Sequence, residues 1–306
     1  MKIGVDIGGT KCSVVLGNEK EIVRKIYFET TTFEKTLNNI QAAIHSLGKA
    51  DAIGISCGGP LDMKTGVIQS PPNLIGWNNV PITEYLSNVF NIPAYLCNDA
   101  DACALAEHRY GHGRGVDNMI FLTFGTGMGA GLILNGKLYS GASGMAGEIG
   151  HVRMNDHGPV GYGKKGSFEG FCSGGGIAQL GKTLALERLQ QGDPVPYCRS
   201  VSDLDKINAK FLAEKAREGD EVAKEVYRIS GEMLGYGISI LLDILNPEMI
   251  IIGSVFARAT SFLEPYMMDV VKKEALFRNR VSCIVVPSML GENIGDYAAL
   301  AVAHGI

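Results

Sequence analysis

Near the start of the chain, Asp6-Ile7-Gly8-Gly9-Thr10-Lys11 stands between two apolar runs. Glycines in such a turn let the main chain fold tightly and aim N–H groups at a phosphate, as in an anion-binding nest. Thr10 adds a hydroxyl and Lys11 a charge. Asp6, at the end of the first run, is a carboxylate placed to hold Mg²⁺ through water. A β-hairpin with a glycine turn explains the same residues equally well, since short glycine motifs are common. Phe124-Gly125-Thr126-Gly127-Met128-Gly129 repeats the device. No Gly-Lys-Ser/Thr follows it, which excludes a Walker A loop, and a strand rather than a helix comes next, which excludes the dinucleotide fingerprint. Two such loops would clasp a polyphosphate from two sides, and the pair is far more specific than either member.

Asn98-Asp99 follows a short apolar strand and opens a helix. Open α/β sheets carry their sites at these carboxyl ends of strands, and a carboxylate there can take the proton from a hydroxyl that attacks a phosphate. Asn98 with Asp101 three residues on is also an N-cap arrangement, and the residues alone favour the cap. Glu148-Ile149-Gly150-His151 pairs an acceptor with a donor/acceptor, the set that grips neighbouring hydroxyls; it lacks the second His of a zincin motif. Glu169, inside Gly166-Ser167-Phe168-Glu169-Gly170, is a second carboxylate of this kind. For each of these acids an exposed loop charge is the plainer alternative. Gly58-Gly59-Pro60 and Pro71-Pro72-Asn73-Leu74-Ile75-Gly76-Trp77 read as rigid loops. The single Trp suits a carbohydrate face or a structural core equally.

The elements that must position these residues alternate between strand and helix. Strands are expected over 2–5, 12–16, 21–28, 52–56, 93–97, 119–124, 131–134, 249–252 and 282–287, and helices over 33–47, 100–110, 177–189, 204–218, 221–245, 263–276 and 293–304. The strand–glycine-turn–strand device near Asp6 and again near Gly125 suggests an internal duplication. A glycine-rich segment at 111–115 reads as a hinge, giving two α/β lobes around a cleft, 1–115 and 116–292, with the last helix, 293–306, returning to the first.

Composition limits the alternatives. The 306 residues are 46% hydrophobic and 20% charged, ordinary for a globular chain, but 40 glycines are an excess. The net charge of −4, with no basic run, argues against a nucleic-acid partner. No apolar stretch spans a bilayer, the candidate at 238–245 being broken by Asp243, and Met1-Lys2-Ile3-Gly4-Val5-Asp6 reads as a strand rather than a secretory leader. Seven scattered cysteines form no CxxC pair, which points away from disulfides and towards a cytoplasmic location.

Taken together, Asp6-Ile7-Gly8-Gly9-Thr10-Lys11, Gly58-Gly59-Pro60, Asn73-Leu74 with Trp77, Asn98-Asp99-Ala100-Asp101-Ala102, Gly125-Thr126-Gly127-Met128-Gly129, Gly147-Glu148-Ile149-Gly150-His151, Asn246-Pro247 before Ile250-Ile251-Ile252-Gly253-Ser254, and the closing Asp296-Tyr297-Ala298-Ala299-Leu300 resemble the family of repressors, open reading frames and kinases known as ROK, over the whole chain. The resemblance implies an α/β protein of the two-lobed actin/hexokinase-like (ribonuclease H-like) fold with a central cleft, and a glucokinase-like, ATP- and Mg²⁺-dependent hexose kinase. It implies that Asp99 is the general base and that Gly59, Asn73, Asn98, Asp99, Glu148, His151 and Glu169 face the sugar. The nucleotide falls to Asp6, Gly8, Gly9, Thr10, Lys11, Gly125, Thr126, Gly127, Gly253 and Ser254, with Mg²⁺ near Asp6. A homodimer is expected on the same ground.

One departure stands out. The family's Cys-x-Cys-Gly-x-x-Gly-Cys-x-Glu zinc motif is here Val160-Gly161-Tyr162-Gly163-Lys164-Lys165-Gly166-Ser167-Phe168-Glu169. Val160, Tyr162 and Ser167 replace the three thiolates, so no structural zinc is expected, and burial of Val160, Tyr162 and Phe168 is expected to anchor the segment instead. Other readings are a kinase for N-acetylmannosamine, another N-acetylhexosamine or a β-glucoside, and a sugar-sensing regulator without a DNA-binding domain. The regulators of the family carry a helix-turn-helix before the first phosphate loop, whereas Asp6 is five residues from the start.

Overall fold

The computed structural model describes residues 1–305. Its chain divides into two compact units, Met1–Phe121 with Gly131–Ala146 and Met289–Ile306, and Leu122–Ala130 with Gly147–Ser288. Of the four crossings from one to the other, Phe121/Leu122 and Ala130/Gly131 fall inside strands and Ala146/Gly147 and Ser288/Met289 in connections; none is in the glycine-rich stretch at 111–115.

The first unit opens with β1 (Lys2–Ile7), β2 (Lys11–Gly17) and β3 (Ile22–Glu29), a meander of antiparallel strands. Helix α1 (Phe33–Leu47) follows; Thr32 caps it by accepting from Lys35 N–H, and Leu37, Ile40, Ile44 and Leu47 bury one stripe. Next come β4 (Ile53–Cys57), the two-residue strands β5 (Leu61–Asp62) and β6 (Val67–Ile68), α2 (Ile82–Phe90), β7 (Ala94–Asn98) and α3 (Asp99–Tyr110). The sheet order is β3-β2-β1-β4-β7, and β1, β4 and β7 run parallel. Their register aligns Ile7 with Cys57 and Cys57 with Asn98, so three strands end level with one another. β4 is buried at all five positions, the pattern of an interior strand.

The second sheet has the order β10-β9-β8-β13-β14, from β8 (Met119–Phe124), β9 (Met128–Leu134), β10 (Lys137–Leu138), β13 (Met249–Ile252) and β14 (Ile284–Pro287). This repeats the order of the first, with three strands successive in the chain and then two that return by crossovers. Before β13 lie the small β11 (Val160–Gly161) and β12 (Lys164–Lys165), then α4 (Phe168–Phe171), α5 (Gly174–Gln190), α6 (Ala209–Arg217) and α7 (Glu221–Leu245). Helices α8 (Val255–Glu274) and α9 (Phe277–Ser282) precede β14, and α10 (Ile294–Val302) closes the chain.

Helix α10 packs on β1, β4 and α3, all in the first unit. Gly54 makes that possible, because a Cβ there would stand 2.2 Å from Ala299 O and Ala303 N. Helix α7 ends at Asn246, whose φ of 44° is the left-handed C-cap conformation, and Pro247 follows it. The helix expected over 204–218 is broken: a 3₁₀ turn covers Val201–Lys206, and Asn208 then caps α6 through Phe211 N–H. Helix α8 starts eight residues before its expected position at 263 and is kinked at Ala259 (φ −127°). Among the described residues no helix is long and apolar enough to cross a membrane.

Candidate active site

In the first unit the level ends of β1, β4 and β7 bring the sequence-expected residues into one row. The β1–β2 turn is closed by Gly8 N–H donating to Lys11 O at 3.1 Å, and Thr30 Oγ1 holds Gly8 O at 2.6 Å. Asn73 lies against Gly9, at 2.7 Å from the place a Cβ would occupy. Gly58 and Gly59, at the end of β4, face the next pair: added Cβ atoms would be 3.7 Å from Asp99 Oδ2 and 3.6 Å from Asn98 Nδ2.

The structure shows the capping arrangement of Asn98-Asp99. Asn98 is the N-cap of α3, its Oδ1 accepting from Ala100 N–H at 3.0 Å. Asp99 begins the helix, and its Oδ1 takes the same N–H at 2.8 Å while the side chain stays open to solvent. The dense protein around it raises the Asp99 pKa, with the backbone hydrogen bonds opposing that rise. The hydrogen bond from Ala100 N–H holds the carboxylate through Oδ1, and Oδ2 lies on the side of Gly58.

Asp6 is half-buried one residue before the end of β1. Its pKa is raised to about 6, first by burial, then by the charges of Asp296 and Asp99; Lys11 and a hydrogen bond from Ser56 pull it down. Asp296, in the first turn of α10, is itself held by Ser13 Oγ at 2.6 Å and Lys25 Nζ at 2.5 Å. Ser13, Ser56 and Asp296 were absent from the expected set. Ser13 and Ser56 are register partners of Asp6, which only the sheet pairing discloses.

In the second unit, the turn between β8 and β9 is closed by Gly125 N–H donating to Gly127 O at 3.1 Å. Gly174 N–H, in the first turn of α5, donates to Gly125 O at 2.8 Å. Ser254, after β13, adopts φ 51° and begins α8; a Cβ on Gly125 would lie 3.7 Å from its Oγ. Glu169 Oε2 accepts from Met128 N–H at 3.0 Å. Glu148 and His151 flank a single 3₁₀ turn, Ile149–His151, and both are exposed. So Gly125, Thr126, Gly127, Glu169 and Ser254 share one neighbourhood. The sequence reading missed Gly174-Gly175-Gly176, whose N–H groups open a 17-residue helix capped by Ser173, a place that favours anions.

Residues 2–306 match the ROK family. The chain belongs to that family. It is 33% identical over 273 residues to a glucokinase of Thermotoga maritima, a match covering 85% of this chain and 84% of the relative. A xylose repressor of Caldicellulosiruptor bescii is 34% identical over 241 residues, 78% of this chain and 57% of that one. Among solved structures, a ROK family glucokinase from Streptomyces griseus in complex with glucose and AMPPNP has 29% identity and a TM-score of 0.79 over 99% of both chains. The fold of this ROK protein is therefore the actin/hexokinase-like α/β fold.

The 160–169 segment is held differently from expectation. Val160 and Tyr162 are exposed, at 46% and 75%, so they do not anchor it by burial; Phe168 does, at 0%, together with Phe171. β11 and β12 form a hairpin whose turn residues, Tyr162 and Gly163, have φ of 42° and 75°, which suits a two-residue turn of the I′ class. Gln179 clamps Val160 twice, accepting from its N–H at 2.9 Å and donating to its carbonyl at 2.8 Å. Ser167 caps α4 through Gly170 N–H at 3.1 Å, and Arg153 donates to Lys165 O at 2.9 Å. Tyr162 instead meets His151 edge-on, with ring centroids 5.2 Å apart, while Lys164 Nζ binds His151 O. Trp77 is fully buried against Phe33, with ring centroids 5.2 Å apart, which settles it as a core residue.

Proposed function

We propose that the chain is an ATP-dependent sugar kinase that phosphorylates a hexose hydroxyl, the 6-OH of glucose or a related hexose, with Asp99 as general base. Membership of the family and the similarity to glucokinases support ATP-dependent sugar phosphorylation. The observation that carries the assignment of the base is the placing of Asp99: a solvent-open carboxylate at a strand end, its Oδ1 fixed by Ala100 N–H, with a raised pKa that makes it a better proton acceptor.

In this reading Asp99 accepts the proton of the attacking hydroxyl through Oδ2. Asn98, Glu148, His151 and Glu169, with Gly59 and Asn73, hold and orient the remaining sugar hydroxyls, which sets the nucleophile in line. Main-chain N–H groups at residues 8–11 and 125–127 carry the charge of the phosphates, and Gly253 and Ser254 lie toward the adenosine. The Asp6 pKa is raised to about 6 first by burial and then by the charges of Asp296 and Asp99, and that local gathering of acids suits a divalent cation. Mg²⁺ bound with the nucleotide would neutralise phosphate charge there. A homodimer in the cytoplasm belongs to the same proposal.

The test is a coupled assay of ADP release over a panel of glucose, mannose, fructose, N-acetylmannosamine, N-acetylglucosamine and a β-glucoside. Turnover of a free hexose with the highest kcat/KM supports the reading. Preference for an N-acetylhexosamine or a β-glucoside redirects the substrate. Sugar binding without ADP release from any of them favours a regulator, the activity of the repressor relative.

A further inference from the structure

Glu169 reaches across 41 residues of sequence to the turn between β8 and β9. Its Oε2 takes Met128 N–H at 3.0 Å, and the same oxygen would stand 2.7 Å from a Cβ on Gly127. The carboxylate thus fills the space that any side chain at 127 would need. Gly150, between Glu148 and His151, is pressed against Met128 O from another direction. Ser167 caps the short helix that carries Glu169, and Phe168 beside it is fully buried, so the carboxylate hangs from a fixed support. Among the described residues, Oε1 accepts no protein hydrogen bond.

We infer that Glu169 is a positioning residue for the nucleotide as well as a group for the sugar. One oxygen pins the N–H of Met128, the first residue of β9, and with it the shape of the 125–127 turn, while the other is left for a sugar hydroxyl. The inference rests on the kinase reading for what the turn binds. The turn at 125–127 holds two glycines in three residues and so has large backbone freedom to lose, and a hydrogen bond from Met128 N–H to a carboxylate is among the strongest ways to restrict its exit. The sugar and nucleotide sites therefore share a side chain, and occupancy of one biases the other.

Three measurements test this on the full chain: amide hydrogen exchange of the segment 123–130, equilibrium binding of AMPPNP with no sugar present, and the KM for sugar. Glu169→Ala should speed exchange at Met128 and weaken AMPPNP binding, each by about tenfold or more. Glu169→Gln keeps an amide oxygen that accepts the same N–H. It should return exchange and AMPPNP affinity to within about threefold of wild type, while the sugar KM stays raised. Thermal melts of both variants separate these effects from global unfolding, and rescue by Gln is not expected of a lost carboxylate–sugar contact. Wild-type exchange and AMPPNP affinity in Glu169→Ala, with the effect confined to the sugar KM, would overturn the inference. A wild-type protein that neither binds AMPPNP nor phosphorylates a sugar overturns the kinase reading and the nucleotide role together; exchange at Met128 then decides only whether Glu169 holds the turn.

Discussion

Asp99 and Asp6 are both carboxylates with raised pKa values, yet the physical tasks they suit differ. Asp99 is open to solvent with one oxygen fixed, the arrangement of a base. Asp99→Asn keeps the shape and the Ala100 hydrogen bond but cannot take a proton. Its kcat should fall by about 10²–10⁴-fold with sugar binding retained, as read by steady-state kinetics beside calorimetric titration of the sugar; turnover near wild type would reduce Asp99 to the start of a helix. Asp6 is different because it is half-buried and the charges of Asp296 and Asp99 add to the cost of its ionised form. Its folded pKa of about 6 lies above its ordinary 3.8. As pH rises the unfolded chain ionises first, so the stability contributed by the protonated group is full below about pH 4 and lost by the time the pH passes about 6. Asp6→Asn should therefore raise the denaturation midpoint at pH 8, with a gain that shrinks toward pH 4, while activity falls. An equal gain at both pH values would show that burial of charge is not the cause. The sequence named both residues, but it could not show that Asp296, 290 positions away, shapes the titration of Asp6.

At the scale of elements, the 152–171 segment is where pattern and structure part. The apolar types of Val160 and Tyr162 suggested burial, but β11 and β12 are too short to cover them, and what holds the hairpin is hydrogen bonding by Gln179, Arg153 and Ser167. Gln179→Ala should cost about 1–3 kcal/mol locally, seen as faster exchange and proteolysis in 155–167 with a small change in the global melt. Tyr162 has a left-handed backbone that costs a non-glycine residue roughly 1 kcal/mol or more. Tyr162→Asn, a residue suited to the first position of such a turn, should leave the melting temperature unchanged or higher; a clear loss would mean that the His151 ring contact carries more than the turn gains. Treatment with a zinc chelator followed by Mg²⁺ should leave both melting temperature and activity unchanged, because the contacts named here already support the segment. A drop on chelation, restored by zinc, would show a metal brace. The long elements α1 and α7 were legible to the residue, since a cap, a stripe and a stop coincide in each. The break before α6 was not, because Asn208 acts as a cap only in competition with a continuing helix.

At the scale of the whole molecule, the first sheet depends on the close approach of α10 at Gly54. Gly54→Val would drive backbone atoms of α10 away from β4 and should cost about 3 kcal/mol or more, measured by denaturant unfolding; a cost under about 1 kcal/mol would mean that α10 can shift without loss. Sedimentation should return about twice the 32.7 kDa chain mass if the expected homodimer forms, and a monomer at micromolar concentration would reject it. The sequence by itself determined the alternation of strands and helices, the two glycine turns and the acids at their strand ends, because those depend on periodicity and on backbone freedom within a few residues. It also carried the family, since eight short motifs in order leave little room for coincidence. Tertiary structure alone decided which strands lie side by side, and so that Ser13 and Ser56 flank Asp6, that Trp77 is core, and that Glu169 reaches the Met128 amide. Those facts join residues from 7 to 50 positions apart in the chain. Such pairings are set by sheet register and by the packing of helices on sheets, and local residue preferences say nothing about either.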